Sequence, residues 1–346
     1  MKLEAGRMRI AQVAPLFESV PPKLYGGTER VVAYLTHELV RQGHEVTLFA
    51  SADSSTDARL VPACKRALRL EGRSIDHLPL HVLQLEHVMQ RAAEFDVIHF
   101  HTDCLHFPWA RRHPCRHMTT MHGRLDRLEL VPLFEEFAEM PMVSISEAQR
   151  APLLRVNWQA TVHHGLPSNL LSLGKGGGGY YAFLGRISPE KRADRAIEIA
   201  KRLKKPVRIA AKVDPADRQY FETQIEPLLN DPLVEYVGEI GERDKQAFLG
   251  NAIALLFPID WPEPFGLVMI ESMACGTPVV AWRRGSVPEI VDHGITGFIA
   301  DGMDEAVEAA RSAAALSRAR CRQRFEERFT AERMAREYVA VYERLM

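Results

Sequence analysis

The sequence predicts an α/β protein of two doubly wound parallel-sheet domains in tandem. Three observations carry this. The chain has 346 residues, 46% of them apolar, which is enough to fill two cores. Apolar runs of strand length alternate with segments of helical period, the pattern of parallel sheets covered by crossover helices. A single glycine cluster interrupts the alternation, which then begins again.

In the first half, strands are expected at Met8–Ala14, Val46–Ala50, Asp96–Phe100, His117–Met121 and Met142–Ile145. The helix between the first two is expected to start at Thr28 as N-cap. It carries Val31, Leu35 and Leu39 on one face and stops at Gly43. Residues 1–167 form the expected first domain. The stretch Ser168 to Gly179, with Gly174 and Gly176 to Gly179, reads as a flexible tether. The second domain, 180–329, repeats the pattern. Its strands are expected at Tyr180–Leu184, Val207–Ala211, Leu233–Val237, Ile253–Phe257 and Pro278–Ala281. Its helices are expected near Glu190–Leu203, Ala216–Leu228, Asp244–Gly250 and Gly266–Ala274. From Ser317 the chain reads as two helices, the last capped by Thr330. That last helix, 330–346, is expected to pack back on the first domain through Tyr338, Val341 and Leu345.

Bulk composition narrows the function. Lys plus Arg total 44 against 45 Asp plus Glu, a net charge of -1 that offers no general attraction to nucleic acid. The cysteines at 64, 104, 115, 275 and 321 show no Cys-x-x-Cys spacing, which argues against structural zinc and for free thiols in a reducing compartment. Met1 to Arg9 holds no apolar signal core, and no apolar run is long enough to span a bilayer. A cytoplasmic protein is expected.

The densest chemistry lies in Asp260-Trp261-Pro262-Glu263-Pro264-Phe265-Gly266-Leu267-Val268-Met269-Ile270-Glu271, which joins a buried-type strand to a helix. Pro262 and Pro264 stiffen the loop around Glu263, and Glu271 falls about a turn inside the helix. The amides of Gly266, Leu267 and Val268 open a helix N-terminus that favours a phosphate. A carboxylate within that helix suits two adjacent ribose hydroxyls. Taken alone, the same acids also fit a loop residue and a complement to the helix dipole. Arg186 and Lys191, in Phe183-Leu184-Gly185-Arg186-Ile187-Ser188-Pro189-Glu190-Lys191, stand at the end of the second domain's first strand. A guanidinium and an ammonium there can neutralise a departing diphosphate, or they are ordinary surface cations.

In the first domain, Tyr25-Gly26-Gly27-Thr28-Glu29-Arg30 joins a strand to its helix, and its glycines permit close approach of a phosphate to the backbone. Glu29 is a secondary candidate, since an acid in a first helical turn complements the dipole without any ligand. His122, in Met121-His122-Gly123, ends a strand. His99, His101 and Asp103 alternate in a way that suits one strand face, and a non-metal reading is preferred because no further ligand group accompanies them. Leu105 to Trp109 and His122 to Arg127 are candidates for an acceptor pocket, with Trp109 as a stacking face, or else loop packing. Arg59 to Arg73, five basic residues and one acid, suits either a phosphorylated lipid or an anionic saccharide, or a solvated helix face.

From Glu263 the motif continues through Glu271-Ser272-Met273-Ala274-Cys275-Gly276-Thr277-Pro278-Val279-Val280. Gly285-Ser286-Val287-Pro288-Glu289-Ile290-Val291 and Gly294-Ile295-Thr296-Gly297-Phe298 follow. This run resembles the signature of retaining glycosyltransferase family 4, and the likeness extends over most of the chain. The resemblance implies a GT-B fold, two Rossmann-like domains facing a central cleft, and transfer from a nucleotide-diphosphate sugar without metal or other cofactor. It assigns the donor sugar to Glu263 and His122, the diphosphate to Arg186, Lys191 and Gly27, and the ribose to Glu271. Phe265, Gly266, Leu267 and Val268 line the donor. Ile240, in Val237-Gly238-Glu239-Ile240-Gly241, stands where backbone groups read the base, with uridine as the default. The acceptor is a hydroxyl on a sugar, a lipid-linked molecule or a small molecule, and peripheral membrane contact accompanies the lipid case. Two other readings use the same architecture: a sugar-nucleotide epimerase, and a nucleotide-sugar-binding module without catalysis. A dehydrogenase is disfavoured because no Gly-x-Gly-x-x-Gly follows either first strand.

Overall fold

The computed structural model describes residues 6–23, 26–70 and 76–346. Tyr25 of the glycine loop, Arg73 of the basic run and residues 1–5 lie outside them. In chain order the elements begin β1 (Arg9–Val13), α1 (Gly27–Arg41), β2 (Glu45–Ser51), β3 (Arg59–Cys64), α2 (Leu78–Gln90) and β4 (Val97–Phe100). Next come α3 (Phe107–Ala110), β5 (His117–Thr120), α4 (Leu130–Glu136), β6 (Met142–Ser144), α5 (Glu147–Arg150) and β7 (Trp158–Thr161). Then follow β8 (Tyr181–Ile187), α6 (Ala193–Leu203), β9 (Val207–Val213), α7 (Arg218–Tyr220), β10 (Val234–Gly238), α8 (Glu242–Gly250) and β11 (Leu255–Phe257). The chain closes with α9 (Leu267–Ala274), β12 (Val279–Trp282), α10 (Val287–Ile290), β13 (Gly297–Ala300), α11 (Met303–Ala313), α12 (Arg318–Arg328) and α13 (Ala331–Leu345).

Two compact units result. The first comprises Met1–Gly165 and Ala331–Met346, the second Leu166–Thr330. Among the described residues the first holds a sheet in the order β3-β2-β1-β4-β5-β6-β7, and the second one in the order β10-β9-β8-β11-β12-β13. The strand pairings are parallel. In each unit the first strand lies between the strand that follows it and one reached by a longer crossover, so the order reverses at β1/β4 and at β8/β11. Loops leaving the carboxyl ends of strands at such a reversal form the ligand crevice of doubly wound sheets.

Several local expectations change. Gly26, in extended backbone, is the N-cap of α1, and Thr28 lies inside the first turn rather than capping it. Gly43, at φ +95°, ends the helix in the left-handed region where a Cβ is disfavoured. Residues 168–179 are bonded into the second unit: the Gly174, Gly176 and Gly178 amides reach the carbonyls of Cys275, Gly250 and Asn251. The Arg318 guanidinium also donates to the Gly174 carbonyl at 3.0 Å. The helix expected near 216–228 is broken into a 3₁₀ turn, a short α segment, a π turn at Phe221–Ile225 and a second 3₁₀ stretch from Glu226. Pro227 explains the break, because it lacks an amide hydrogen and its ring clashes with the preceding turn. The first part of the basic run, Arg59–Cys64, is no helix face but the edge strand β3, which tolerates Pro62 because one side of it needs no ladder donors, and Leu68–Leu70 is a 3₁₀ turn.

The stripe of α13 is Met334, Ala335, Tyr338, Val341 and Tyr342, all buried, while Leu345 is only half-buried. In α9, Met269, Ile270 and Met273 are fully buried, each contributing about 1.5–3 kcal/mol of apolar burial. That anchorage fixes the direction in which the helix presents its N-terminus.

Candidate functional site

At the β8/β11 reversal, Arg186 stands at the carboxyl end of β8, Lys191 lies in the loop that follows, and the loop after β11 carries Asp260 to Gly266. The two loops are joined directly. The Asp260 amide donates to the Glu190 carbonyl at 2.8 Å, and the carboxylate of Asp260 receives Arg195 at 2.9 Å and Arg192 at 3.2 Å. The Lys191 ammonium is bonded to Glu263 Oε2, the same oxygen that accepts the Trp261 indole N–H at 2.9 Å. The ammonium also lies 4.8 Å from the centre of the Trp261 ring and 5.4 Å from that of Phe257, where the ring faces attract a cation. Glu263 and Lys191 are thus largely buried as one paired unit.

Backbone geometry holds Glu263 rigidly. Its carbonyl accepts the Ser286 amide at 2.9 Å, and Gly285 approaches so closely that a Cβ there would sit 2.3 Å from both Glu263 N and O. Gly285 also has φ +52°, so glycine is required twice over. Gly266, at φ +82°, is the N-cap of α9. A Cβ on it would meet Met269 Cε at 2.8 Å. The amides of Leu267 and Val268 are the first two of the helix and have no acceptor within it, which makes the helix start a natural anion site. The Phe265 ring is packed away in the interior, and its carbonyl accepts Ser286 Oγ at 2.8 Å, so this residue offers structure rather than a contact surface.

Arg186 is half-buried among three carboxylates: Glu190 at 2.5 Å, Asp214 at 3.6 Å and Asp217 at 3.8 Å. Burial raises the carboxyl of Asp217 above its ordinary range. Both cations are therefore held in place by neighbouring carboxylates. Glu271, on the fifth residue of α9, is buried and paired with Lys245 at 2.5 Å, which Glu242 also approaches at 3.7 Å. Ile240 is half-buried just beyond the end of β10, where Gly238 takes φ +81°. Lys245 and Trp261 were not singled out from the sequence. A lysine three residues into a polar helix carries no local mark of its partner, whereas the Trp261 position, two residues before Glu263 in a Pro-braced loop, did hold a readable signal.

In the first unit, Gly27 is the exposed first residue of α1. Glu29 in the same turn is buried, and its carboxyl is raised, first by burial. His122 follows β5, and its Nε2 lies 2.9 Å from His101 Nδ1 while its ring stacks on His164 at 5.2 Å. Burial pushes the His122 imidazole down to about 3 and holds His99, His101 and His164 well below the usual histidine range, so these rings are neutral near pH 7. The nitrogens of His99 and His101 are engaged by Tyr342, Thr120, Gln12 and His122. Asp103 is exposed, at φ +51°, and does not join them.

Leu105 to Trp109 is a packed corner: His106 stacks on Phe100 at 3.8 Å, Phe107 belongs to the core cluster, and Trp109 packs against it. Arg124 and Arg127 pair locally with Asp126 and Glu129. Arg69 of the basic run pairs with buried Glu18 at 2.9 Å. The five cysteines are free thiols. Among the described residues no helix is long and apolar enough to cross a membrane.

Comparison with known proteins adds to this geometry. Residues 25–160 match the model described as Glycosyltransferase Family 4, and residues 173–331 match that described as Glycosyl transferases group 1. The D-inositol 3-phosphate glycosyltransferase of Mycolicibacterium smegmatis is 26% identical, over 81% of this chain and 76% of the relative. The N-acetyl-alpha-D-glucosaminyl L-malate synthase of Bacillus anthracis is 29% identical, over 36% of this chain and 35% of the relative. The Anabaena protein HepE, solved in complex with UDP and glucose, has 17% identity and a TM-score of 0.75, covering 98% of this chain and 100% of that one. At that identity the likeness speaks for the fold.

Proposed function

The chain belongs to glycosyltransferase family 4 and is a sugar-nucleotide-dependent glycosyltransferase of the GT-B fold, and on that premise we propose that it transfers a sugar from a UDP-sugar to a hydroxyl acceptor, with retention of configuration and without a metal ion. The observation that carries the reading is the convergence at the β8/β11 reversal of two cations, two carboxylates and a helix N-terminus, each already held in place.

On this reading the diphosphate takes Arg186, Lys191 and the Leu267 and Val268 amides. As the bond from the anomeric carbon to the leaving oxygen breaks, negative charge grows on the diphosphate, and the guanidinium and ammonium stabilise it in place of a divalent cation. The acceptor oxygen bonds to the anomeric carbon on the face the diphosphate leaves, and its proton passes to the departing phosphate. Glu263 and His122 accept hydrogen bonds from sugar hydroxyls, which fixes the ring for that attack. The Glu271 carboxylate accepts the two ribose hydroxyls, while Lys245 offsets its charge. The half-buried segment at Ile240 reads the base, and Gly27 contacts phosphate through its backbone. The HepE complex with UDP and glucose supports uridine as the base.

The test is a thermal-shift screen of nucleotide-diphosphate sugars in the presence of a chelator, then product analysis with the donor that stabilises most. A UDP-sugar giving a product with its original anomeric configuration is expected. Near wild-type transfer by Glu263→Ala and Lys191→Ala would overturn the assignment.

A further inference from the structure

The first unit contains a chain of buried side chains, hydrogen-bonded in series, that runs from the terminal helix to His122. Tyr342 on α13 accepts Gln12 Nε2 at 3.0 Å and lies 2.8 Å from His99 Nδ1. Gln12, on β1, places its Oε1 2.8 Å from His101 Nε2. His101 Nδ1 then meets His122 Nε2 at 2.9 Å. At the far end His99 Nε2 lies 2.8 Å from Thr120 Oγ1. Gln12, His99, His101, Thr120 and Tyr342 have essentially no exposure.

In such a chain the protons are not independent. A neutral imidazole donates from one nitrogen and accepts at the other, so fixing one bond fixes the next. The Gln12 carbonyl oxygen can only accept, so His101 Nε2 carries its proton and His101 Nδ1 is a lone pair. His122 must therefore donate from Nε2. Likewise the Gln12 amide donates to Tyr342, whose hydroxyl then donates to His99, which in turn donates to Thr120. Reversing every bond requires turning the Gln12 amide over and leaves a proton on His122 Nδ1. That nitrogen is buried and has no hydrogen-bond partner among the described residues. An unpaired buried N–H is tolerated less well than an unpaired acceptor, which favours the direction given first.

We propose that Gln12 and Tyr342 are positioning residues that act through His101 to hold His122 as its Nε2–H tautomer, leaving Nδ1 as an acceptor that lacks only a donor. Resting on the transferase reading above, the donor is a hydroxyl of the transferred sugar rather than a phosphate oxygen, which cannot donate. The terminal helix, distant in sequence from every motif, thereby takes part in setting the chemistry of the site.

The experiment uses the full chain with ¹⁵N-labelled histidine and reads the imidazole tautomers by long-range proton–nitrogen correlation, with His122→Gln to assign the signals. The expected result is a protonated Nε2 and an unprotonated Nδ1 on His122. A protonated Nδ1 overturns the proposal. Tyr342→Phe removes only the hydroxyl. It is expected to give His122 signals of both tautomers and a kcat lower by between about tenfold and a hundredfold, with the Kd for UDP unchanged. Gln12→Met, which keeps the length of the side chain, repeats the test from the other side of the relay. A lowered Tm with an unaltered tautomer and kcat in both variants also overturns it. The spectrum needs no substrate, so absence of transfer by the wild type would refute the transferase reading while the tautomer still judged the relay.

Discussion

Lys191 is the residue whose removal separates stability from transfer most sharply. Its ammonium and Glu263 form a pair with side-chain exposures of 15% and 10%, supported by the Trp261 indole. Lys191→Met keeps the stem and deletes the charge. It leaves Glu263 a buried carboxylate with one neutral donor, a situation that costs up to about 3–5 kcal/mol when burial is complete. Because some solvent reaches both groups, roughly 1–3 kcal/mol is expected here, or about 3–10 °C in the Tm of the second unit. Loss of one charged donor to the leaving group costs about 10²–10³ in kcat. Adding Glu263→Gln removes the orphaned charge and is expected to restore most of the Tm without restoring transfer. Differential scanning fluorimetry and initial rates under saturating donor read the two effects. A Lys191→Met rate within about threefold of wild type, or recovery of the rate in the double variant, refutes the argument.

Three further outcomes follow from the geometry. Lys245→Ala leaves Glu271 uncompensated and is expected to weaken UDP binding by about tenfold, read by calorimetry, since a charge-assisted contact is worth about 1.5–3 kcal/mol before screening; unchanged affinity would remove Glu271 from the ribose. Gly285→Ala places a Cβ 2.3 Å from the Glu263 backbone at φ +52°, so a loss of at least about 2 kcal/mol and near-complete loss of transfer are expected, and a fully active, equally stable variant would contradict the described loop. Acid should destabilise the first unit: His122 is held near 3 by burial against about 6.5 when unfolded, so only the unfolded chain binds that proton in the window between. The stabilisation is present above about pH 6.5 and is lost as the pH falls. Between pH 7 and pH 5 this one group costs about 2 kcal/mol, with His99, His101 and His164 acting in the same direction. A melting temperature that is flat or rises over that interval would refute it.

The parts of the site that the sequence discloses are those whose partners are near in the chain. Pro262, Glu263, Gly266 and Glu271 stand on one strand–loop–helix unit, where stiff prolines, a positive-φ glycine and a helix start are each visible as residue types. The central strands were legible for a related reason: fully buried parallel strands are continuous apolar runs. Edge strands are not. β3 is half-exposed along most of its length, includes Pro62 and leads into the basic residues Lys65, Arg66 and Arg69, so it lacks the continuous buried apolar run of a central strand. The break at Phe221–Ile225 required weighing Pro227 against an otherwise helical period. Least visible were the tertiary pairings: Gln12 and Tyr342 are 330 positions apart, and Lys245 finds Glu271 only because α8 and α9 fold together. His99 and His101 were legible as a pair on one face, but the hydroxyl and amide that decide their protons were not.

The central claim is that residues of the second unit hold a nucleotide-diphosphate sugar without a metal. Calorimetric titration with UDP and with a UDP-sugar, both in a chelator, of the wild type, Glu271→Ala and His122→Ala measures it directly. Wild type is expected to bind both ligands, Glu271→Ala to lose affinity for both by at least about tenfold, and His122→Ala to bind UDP normally while losing preference for the UDP-sugar. Binding that appears only when a divalent cation is restored, or equal UDP affinity in wild type and Glu271→Ala, would contradict the account.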